Sequence, residues 1–384
     1  MVTVYILDAA RTPIGAFQGA LSALSAPELG AHAVSALLAR SGFPADRVDE
    51  VILGNVISAG LKQAPARQAM RIAGLPDSCA ALTVNKVCGS GMKATMLACD
   101  LINAGSAGTI ISGGMESMTN APYLLPKARG GQRMGHGQVL DSMFLDGLED
   151  AETGAAMGAF AQATADDHQL TRESMDAYAI ESLKRARTAI EEGLLHSEIE
   201  PISIGEVQIR DDEQPGRAKI ERIPTLRPAF KADGTITAAN SSSISDGASA
   251  LLLCSETAAE GHQPLARIVG HATHSRHPSE FTIAPVGAIS KLLERIGWDV
   301  ADVDLFEINE AFAMVTMLAI SELKLDPARV NVCGGACAQG HPIGSTGSRL
   351  IVTLAHALHR LGKRRGVAAL CIGGGEATAI AIER

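Results

Sequence analysis

Two stretches of this chain, about 255 residues apart, follow one plan. Ala45-Asp-Arg-Val-Asp-Glu-Val-Ile-Leu-Gly-Asn55 parallels Val300-Ala-Asp-Val-Asp-Leu-Phe-Glu-Ile-Asn309, each an aspartate-bearing turn and an apolar strand that ends at an asparagine. Cys88 lies 33 residues beyond Asn55, and His341 lies 32 beyond Asn309, each beside a Gly-rich turn that opens a helix. Both halves then reach a further strand and glycine turn, Thr109-Ile-Ile-Ser-Gly-Gly114 and Leu370-Cys-Ile-Gly-Gly-Gly375. Strands alternating with helical stretches predict α/β units with largely parallel pairing. A chain built this way is a duplicated α/β protein.

Residues 119–242 have no counterpart in the second half. Pro122, Pro126 and several glycines break 119–147, and Pro215, Pro224 and Pro228 break 205–235. Between them a helix is expected from about Met175 to Glu192. The expected organisation is a first half of 1–118 with 243–264, an inserted loop domain of 119–242, and a second half of 265–384.

The formal net charge of −9 argues against a protein relying on a broad basic surface for nucleic acid, and the 3% aromatic content against base-stacking platforms. At 46% hydrophobic and 20% charged the chain is core-rich. No run of about 18 apolar residues suggests a membrane span. The opening strand-like residues after Met1 and the closing Ile382-Glu-Arg384 carry neither a leader pattern nor a peroxisomal address, so a cytoplasmic protein is expected. Seven cysteines are too few for a disulfide scaffold and are expected to be thiols.

Four positions carry chemistry. Cys88, in Val87-Cys-Gly-Ser-Gly91, is expected between a strand and a helix N-terminus, where free N–H groups and the helix dipole favour a thiolate. The same features suit a buried structural cysteine. His341 sits in Gly340-His-Pro342, a defined turn before a helix, as a base or as a structural histidine. Cys371 precedes Gly373-Gly-Gly375, whose N–H groups could bind an oxyanion or simply form a strand-end turn. Asn309 could orient a water or cap a helix. Cys333, Cys337 and His341 share a C-x3-C-x3-H spacing, but glycines and Pro342 interrupt the helix that would align them, so no metal is assigned. No nucleotide-binding fingerprint follows a strand.

Together the ordered motifs Val87-Cys-Gly-Ser-Gly91, Asn309-Glu-Ala-Phe312, Gly340-His-Pro342 and Cys371-Ile-Gly-Gly-Gly375 resemble the thiolase family over essentially the whole chain. Asp8-Ala-Ala-Arg-Thr-Pro13, Gly113-Gly-Met-Glu-Ser117, Leu226-Arg-Pro-Ala-Phe230 and Asp246-Gly-Ala248 support it. The resemblance implies a five-layered αβαβα fold and reversible cleavage or Claisen synthesis of 3-ketoacyl-CoA, with coenzyme A or acetyl-CoA as substrate and no permanently bound cofactor. Cys88 would be the acylated nucleophile, His341 its base and Cys371 the second acid/base. Asn309 would hold a water beside the enolate, and the N–H groups of Cys88 and Gly373 would form the oxyanion hole. It further implies that Arg217, Phe230 and Ser242 contact CoA, that Met157, Ala311 and Phe312 line the substrate site, and that the chain forms a homodimer or homotetramer. Residues 210–231 carry six Lys/Arg against four Asp/Glu, a locally basic strip suited to the nucleotide or to a solvated loop face. Alternatives are another condensing enzyme of this fold, which the second cysteine disfavours, or a silent acyl-CoA-binding subunit.

The sequence departs from the family pattern at four places. Cys337 stands where many members have isoleucine, and Glu376-Ala377 where many have Met-Gly. Ala156-Met157-Gly158 replaces a His-Met-Gly common in short-chain synthetic members, and Phe281 falls where those enzymes often carry methionine. The last two reshape the acyl pocket.

Overall fold

The structure, a computed structural model, describes residues 2–384. The first half runs β1 (Val4–Arg11), α1 (Ala26–Ser41), β2 (Glu50–Gly54), α2 (Pro65–Ile72), β3 (Ala80–Val84), α3 (Ser90–Asn103) and β4 (Thr109–Ser117). Two helices, α4 (Met157–Asp167) and α5 (Arg172–Glu191), follow before β5 (Ser245–Ser255). The second half runs β6 (Ala266–Ser275), α6 (Ala284–Ile296), β7 (Leu305–Ile308), α7 (Ala313–Leu323), α8 (Thr346–Arg360), β8 (Arg365–Ile372) and β9 (Glu376–Glu383).

The repeat foreseen in the sequence is a repeat of strand order. The first half reads β3-β2-β4-β5-β1 and the second β7-β8-β9-β6, with Val330 bridging Phe306 where a fifth strand would lie. The halves join where Val4–Ile6 of β1 pair with Ala266–Ile268 of β6. Helices α3 and α8 pack between the halves. In α8 every residue from Thr346 to Leu358 is buried, as expected of a helix with protein on all sides. Helices α1 and α2 cover the outer face of the first half, and α6 and α7 that of the second. Five layers result, with one apolar core under each outer helix layer and a central core that surrounds α3 and α8 between the strands of the two halves.

Pairing is mixed rather than largely parallel. Only β2–β3, β2–β4 and β7–β8 run parallel, while β1–β5, β4–β5, β1–β6, β6–β9 and β8–β9 are antiparallel. The reason is local in the second half, where the Gly373–Gly375 turn sends β9 straight back along β8; Gly374 and Gly375 take φ of +88° and +90°. The Gly113-Gly114 pair makes no such turn. It lies inside β4, and a Cβ on Gly114 would overlap the Gly344 carbonyl of the loop that follows His341. Helix α5 also starts earlier than expected, because Thr171 caps it: its Oγ1 accepts from the Ser174 N–H at 3.1 Å.

Residues 119–242 hold α4, α5 and two short hairpins, including Tyr123–Leu124 with Leu140–Asp141. This segment is tied to the sheet by Arg11, whose buried guanidinium meets Glu198 at 2.6 Å and Asp212 at 2.7 Å. No helix among the described residues is long and apolar enough to cross a membrane.

Gly114→Ala is expected to destabilise the protein by about 1–3 kcal/mol, the usual cost of overpacking. Gly130→Ala, with open space around its Cα, should change stability by less than about 0.5 kcal/mol. Thermal unfolding of the two variants checks the difference; equal midpoints would contradict the close approach.

Candidate active site

The Cys88 turn is built by its neighbours. The Val87 N–H donates to Asn85 Oδ1 at 3.0 Å and the Lys86 N–H to Ser90 Oγ at 2.8 Å, while the Ser90 hydroxyl donates to the Val87 carbonyl at 2.6 Å. These bonds hold Val87 at φ +46°, a left-handed conformation that a β-branched residue resists. Cys88 is thereby presented just ahead of α3, with its sulfur toward the N–H groups of Gly373 and of Cys88 itself.

Burial dominates the electrostatics here. It pushes the Cys88 thiol up to about 11, against the two N–H groups, which pull it down. The thiolate expected from the helix terminus is therefore not the resting form. Cys371, buried in β8, is raised well above the ordinary thiol value by burial and then by the nearby Cys88.

His341 follows the short helical turn Ala336–Gln339, and its N–H donates to the Ser243 carbonyl at 3.1 Å. Its Nδ1 lies 2.6 Å from Thr346 Oγ1, and that hydroxyl is 3.0 Å from the Pro342 carbonyl. The single hydroxyl proton goes to Pro342, so Thr346 accepts from Nδ1–H and Nε2 is left as the lone-pair nitrogen. Nε2 is buried with no protein partner. Burial, then the Arg349 charge, push the imidazole down to about 3, which keeps it neutral.

Asn309 does not cap a helix; Phe312 occupies the N-cap of α7. Its amide is fully buried, and neither Oδ1 nor Nδ2 has a protein partner. An unsatisfied buried amide beside a reactive site calls for a water or a substrate atom.

Cys88, His341, Gly373, Met157, Phe230, Ser242, Ala311 and Phe312 all line one apolar cavity of about 240 Å³. Cys371 and Asn309 are fully buried and do not line it. Phe312 meets Phe230 and Phe281 edge to face, with ring centroids 6.3 and 6.4 Å apart. Arg217 is elsewhere: paired with Glu213 at 2.9 Å, it lines a second cavity with Lys219 and Arg222, and Ser243 borders both.

Three supports escaped sequence reading. Thr346 fixes the imidazole tautomer. The Glu310 carboxylate accepts from Tyr178, Ser182, Asn331 and the Cys337 N–H at 2.7–3.1 Å, tying α5 to the loops of Asn309 and His341. Glu116 accepts from Asn55 Nδ2 at 2.7 Å and the Val56 N–H at 3.0 Å, and burial pushes it up to about 8. Glu310 and Glu116 lie inside motifs quoted above, but their part in holding the site was not read from them; the one local signal is a carboxylate flanked by apolar and small residues.

A thiol and a neutral imidazole lining one cavity with the Gly373 backbone, and a second thiol buried close to the first, form a set of groups suited to acyl transfer through a cysteine. Residues 4–257 match the thiolase N-terminal domain and residues 262–384 the thiolase C-terminal domain, so the chain belongs to the thiolase family, a family of acyltransferases. It is 47% identical over 392 residues to an acetyl-CoA acetyltransferase of Pseudomonas aeruginosa, covering 100% of both chains. It is 45% identical to that of Schizosaccharomyces pombe, covering 99% of this chain and 98% of the relative. The crystal structure of Acat5 thiolase from Ascaris suum in complex with coenzyme A superposes with a TM-score of 0.96 at 44% identity, over 100% of both chains.

Between about 3 and about 11 the resting Cys88–His341 pair carries no charge, because the imidazole protonates only below that window and the thiol ionises only above it. The acylation rate should then show no inflection near the ordinary histidine value of about 6.5. A pH–rate profile of Cys88 acetylation checks this. Thr346→Val should slow the same step by roughly 10–100-fold, the usual cost of losing a partner that orients a functional imidazole; steady-state kinetics would detect it.

Proposed function

We propose that this chain interconverts a 3-ketoacyl-CoA plus CoA with a shortened acyl-CoA plus acetyl-CoA. The observation carrying this reading is the pair of thiols, Cys88 and Cys371, close enough to perturb each other beside the Gly373 N–H and the free Nε2 of His341. His341 takes the Cys88 proton as the sulfur attacks the 3-keto carbon. The N–H groups of Cys88 and Gly373 hold the resulting oxyanion. The C2–C3 bond then breaks, leaving acyl-Cys88 and the enolate of acetyl-CoA. Cys371 protonates the enolate carbon, while a water held by Asn309, together with His341, stabilises its oxygen. After acetyl-CoA leaves, the thiol of a second CoA gives its proton to the Cys371 thiolate and attacks acyl-Cys88; the acyl-CoA is released and His341 returns its proton to the Cys88 thiolate. Synthesis runs the same steps backward, with Cys371 as the base.

CoA enters along Ser242 and Ser243, its pantetheine beneath Phe230 and its nucleotide end toward Arg217, Lys219 and Arg222, whose cavity shares Ser243 with the acyl cavity. Met157, Ala311, Phe312 and Phe281 shape the acyl end. The protein is a homo-oligomer: the outer edge of β3 is unpaired with Leu82 exposed, and Tyr123, Leu125 and Met134 lie exposed in the inserted segment. The seven free thiols fit the reducing cytoplasm. The domain boundaries proposed are 1–118 with 243–264, 119–242 and 265–384.

Thiolysis of acetoacetyl-CoA and longer 3-ketoacyl-CoAs is expected from wild type and not from Cys88→Ala. After acetyl-CoA treatment, mass spectrometry should find the acetyl group on Cys88. Full activity in the variant, or acetyl on Cys371 alone, overturns the assignment.

A further inference from the structure

The two N–H groups of the oxyanion hole belong to chain segments nearly 290 residues apart, and neither segment holds its own shape cheaply. The Cys88 turn depends on Val87 at φ +46°, and Gly373 opens a run of three glycines with no side chains to lock it. A thioester oxygen gains from two donors only when their separation is fixed within a few tenths of an ångström. Something must strut the two turns.

That strut is visible in the side chains flanking them. Lys86, two residues before Cys88, places Nζ 2.5 Å from Oε2 of Glu376, three residues after Gly373. Both side chains are partly buried, 20% and 33% exposed. Each end is anchored. The Lys86 N–H donates to Ser90 Oγ at the start of α3, and its carbonyl accepts from the Gly89 N–H at 3.0 Å. Glu376 is in register with Ile372 of β8 and with Ser275 of β6, whose hydroxyl also meets Glu376 Oε1 at 3.3 Å. Among the described residues this is the one ion pair that links the two turns. Glu376 is also one of the positions where the sequence departs from the family pattern.

We propose that Lys86 and Glu376 are positioning residues, their ion pair setting the distance between the Cys88 and Gly373 N–H groups that receive the oxyanion. Neither touches the reacting atoms; they act through the turns. This rests on the acyl-transfer reading above. The pair is partly solvated, so its removal should cost little global stability, shifting the thermal midpoint by no more than about 3 °C.

Two reactions of Cys88 separate positioning from general damage. Acetylation by saturating acetyl-CoA builds an oxyanion; alkylation by iodoacetamide displaces iodide at a saturated carbon and builds none. Glu376→Gln and Lys86→Met should each slow single-turnover acetylation about tenfold, equivalent to about 1.4 kcal/mol, with alkylation within about twofold of wild type. Lys86→Arg, which keeps the charge, should retain at least about a third of the wild-type rate. Unchanged acetylation in the neutral variants, or equal slowing of both reactions, overturns the proposal. Wild-type protein that shows neither acetylation nor thiolysis sinks the acyl-transfer reading itself, and the positioning role with it.

Discussion

Everything at this site depends on how closely α3 and α8 approach each other at their N-terminal ends. A side chain on Gly91 would collide with Ser348, and one on Gly347 with Met92. With hydrogen in those places the two helices interlock, and the turns preceding them are brought to one cavity. One turn carries the thiol and the other the imidazole. Close-packed interiors transmit small displacements rather than absorbing them, so the spacing of two helices in the middle layer becomes the spacing of the Cys88 thiol and the His341 imidazole.

The same burial that makes this packing possible decides the electrostatics. A helix N-terminus and two N–H groups pull toward a thiolate, yet removal from water outweighs them. Thiol and imidazole rest uncharged. In the proposed reaction, proton transfer waits until the substrate carbonyl arrives and its charge can be received by donors already in place, which is where preorganised dipoles are worth most.

Much of the fold and the site was legible in the sequence, because the repeat and its glycine turns are local patterns. The strand before Cys88, the helices after Cys88 and His341 and the strand carrying Cys371 all lie where spacing put them. Pairing direction was not legible: the return of β9 depends on three glycines making a reversal, whereas the similar Gly113-Gly114 pair exists to let another backbone pass. Glu310, Glu116 and Thr346 were hidden for a related reason. Each acts on residues distant in sequence or on a tautomer, and no spacing rule encodes which carboxylate in an apolar run will be met by donors. The Glu376 substitution was plain as a departure from pattern, but only the fold supplied Lys86 as its partner.

The duplicated strand order carries one more consequence. At the position the two halves share, two identical units could offer only the same residue twice, a pair of cysteines or a pair of histidines. Joining the units in a single chain lifts that restriction, and the asparagines at the ends of β2 and β7 show how far the halves have since diverged. Asn55 is engaged by Glu116 and serves as masonry, while Asn309 keeps both amide atoms unspoken for. Broken symmetry, on a scaffold that stays nearly symmetric, is what gives this molecule an inside with a chemical direction.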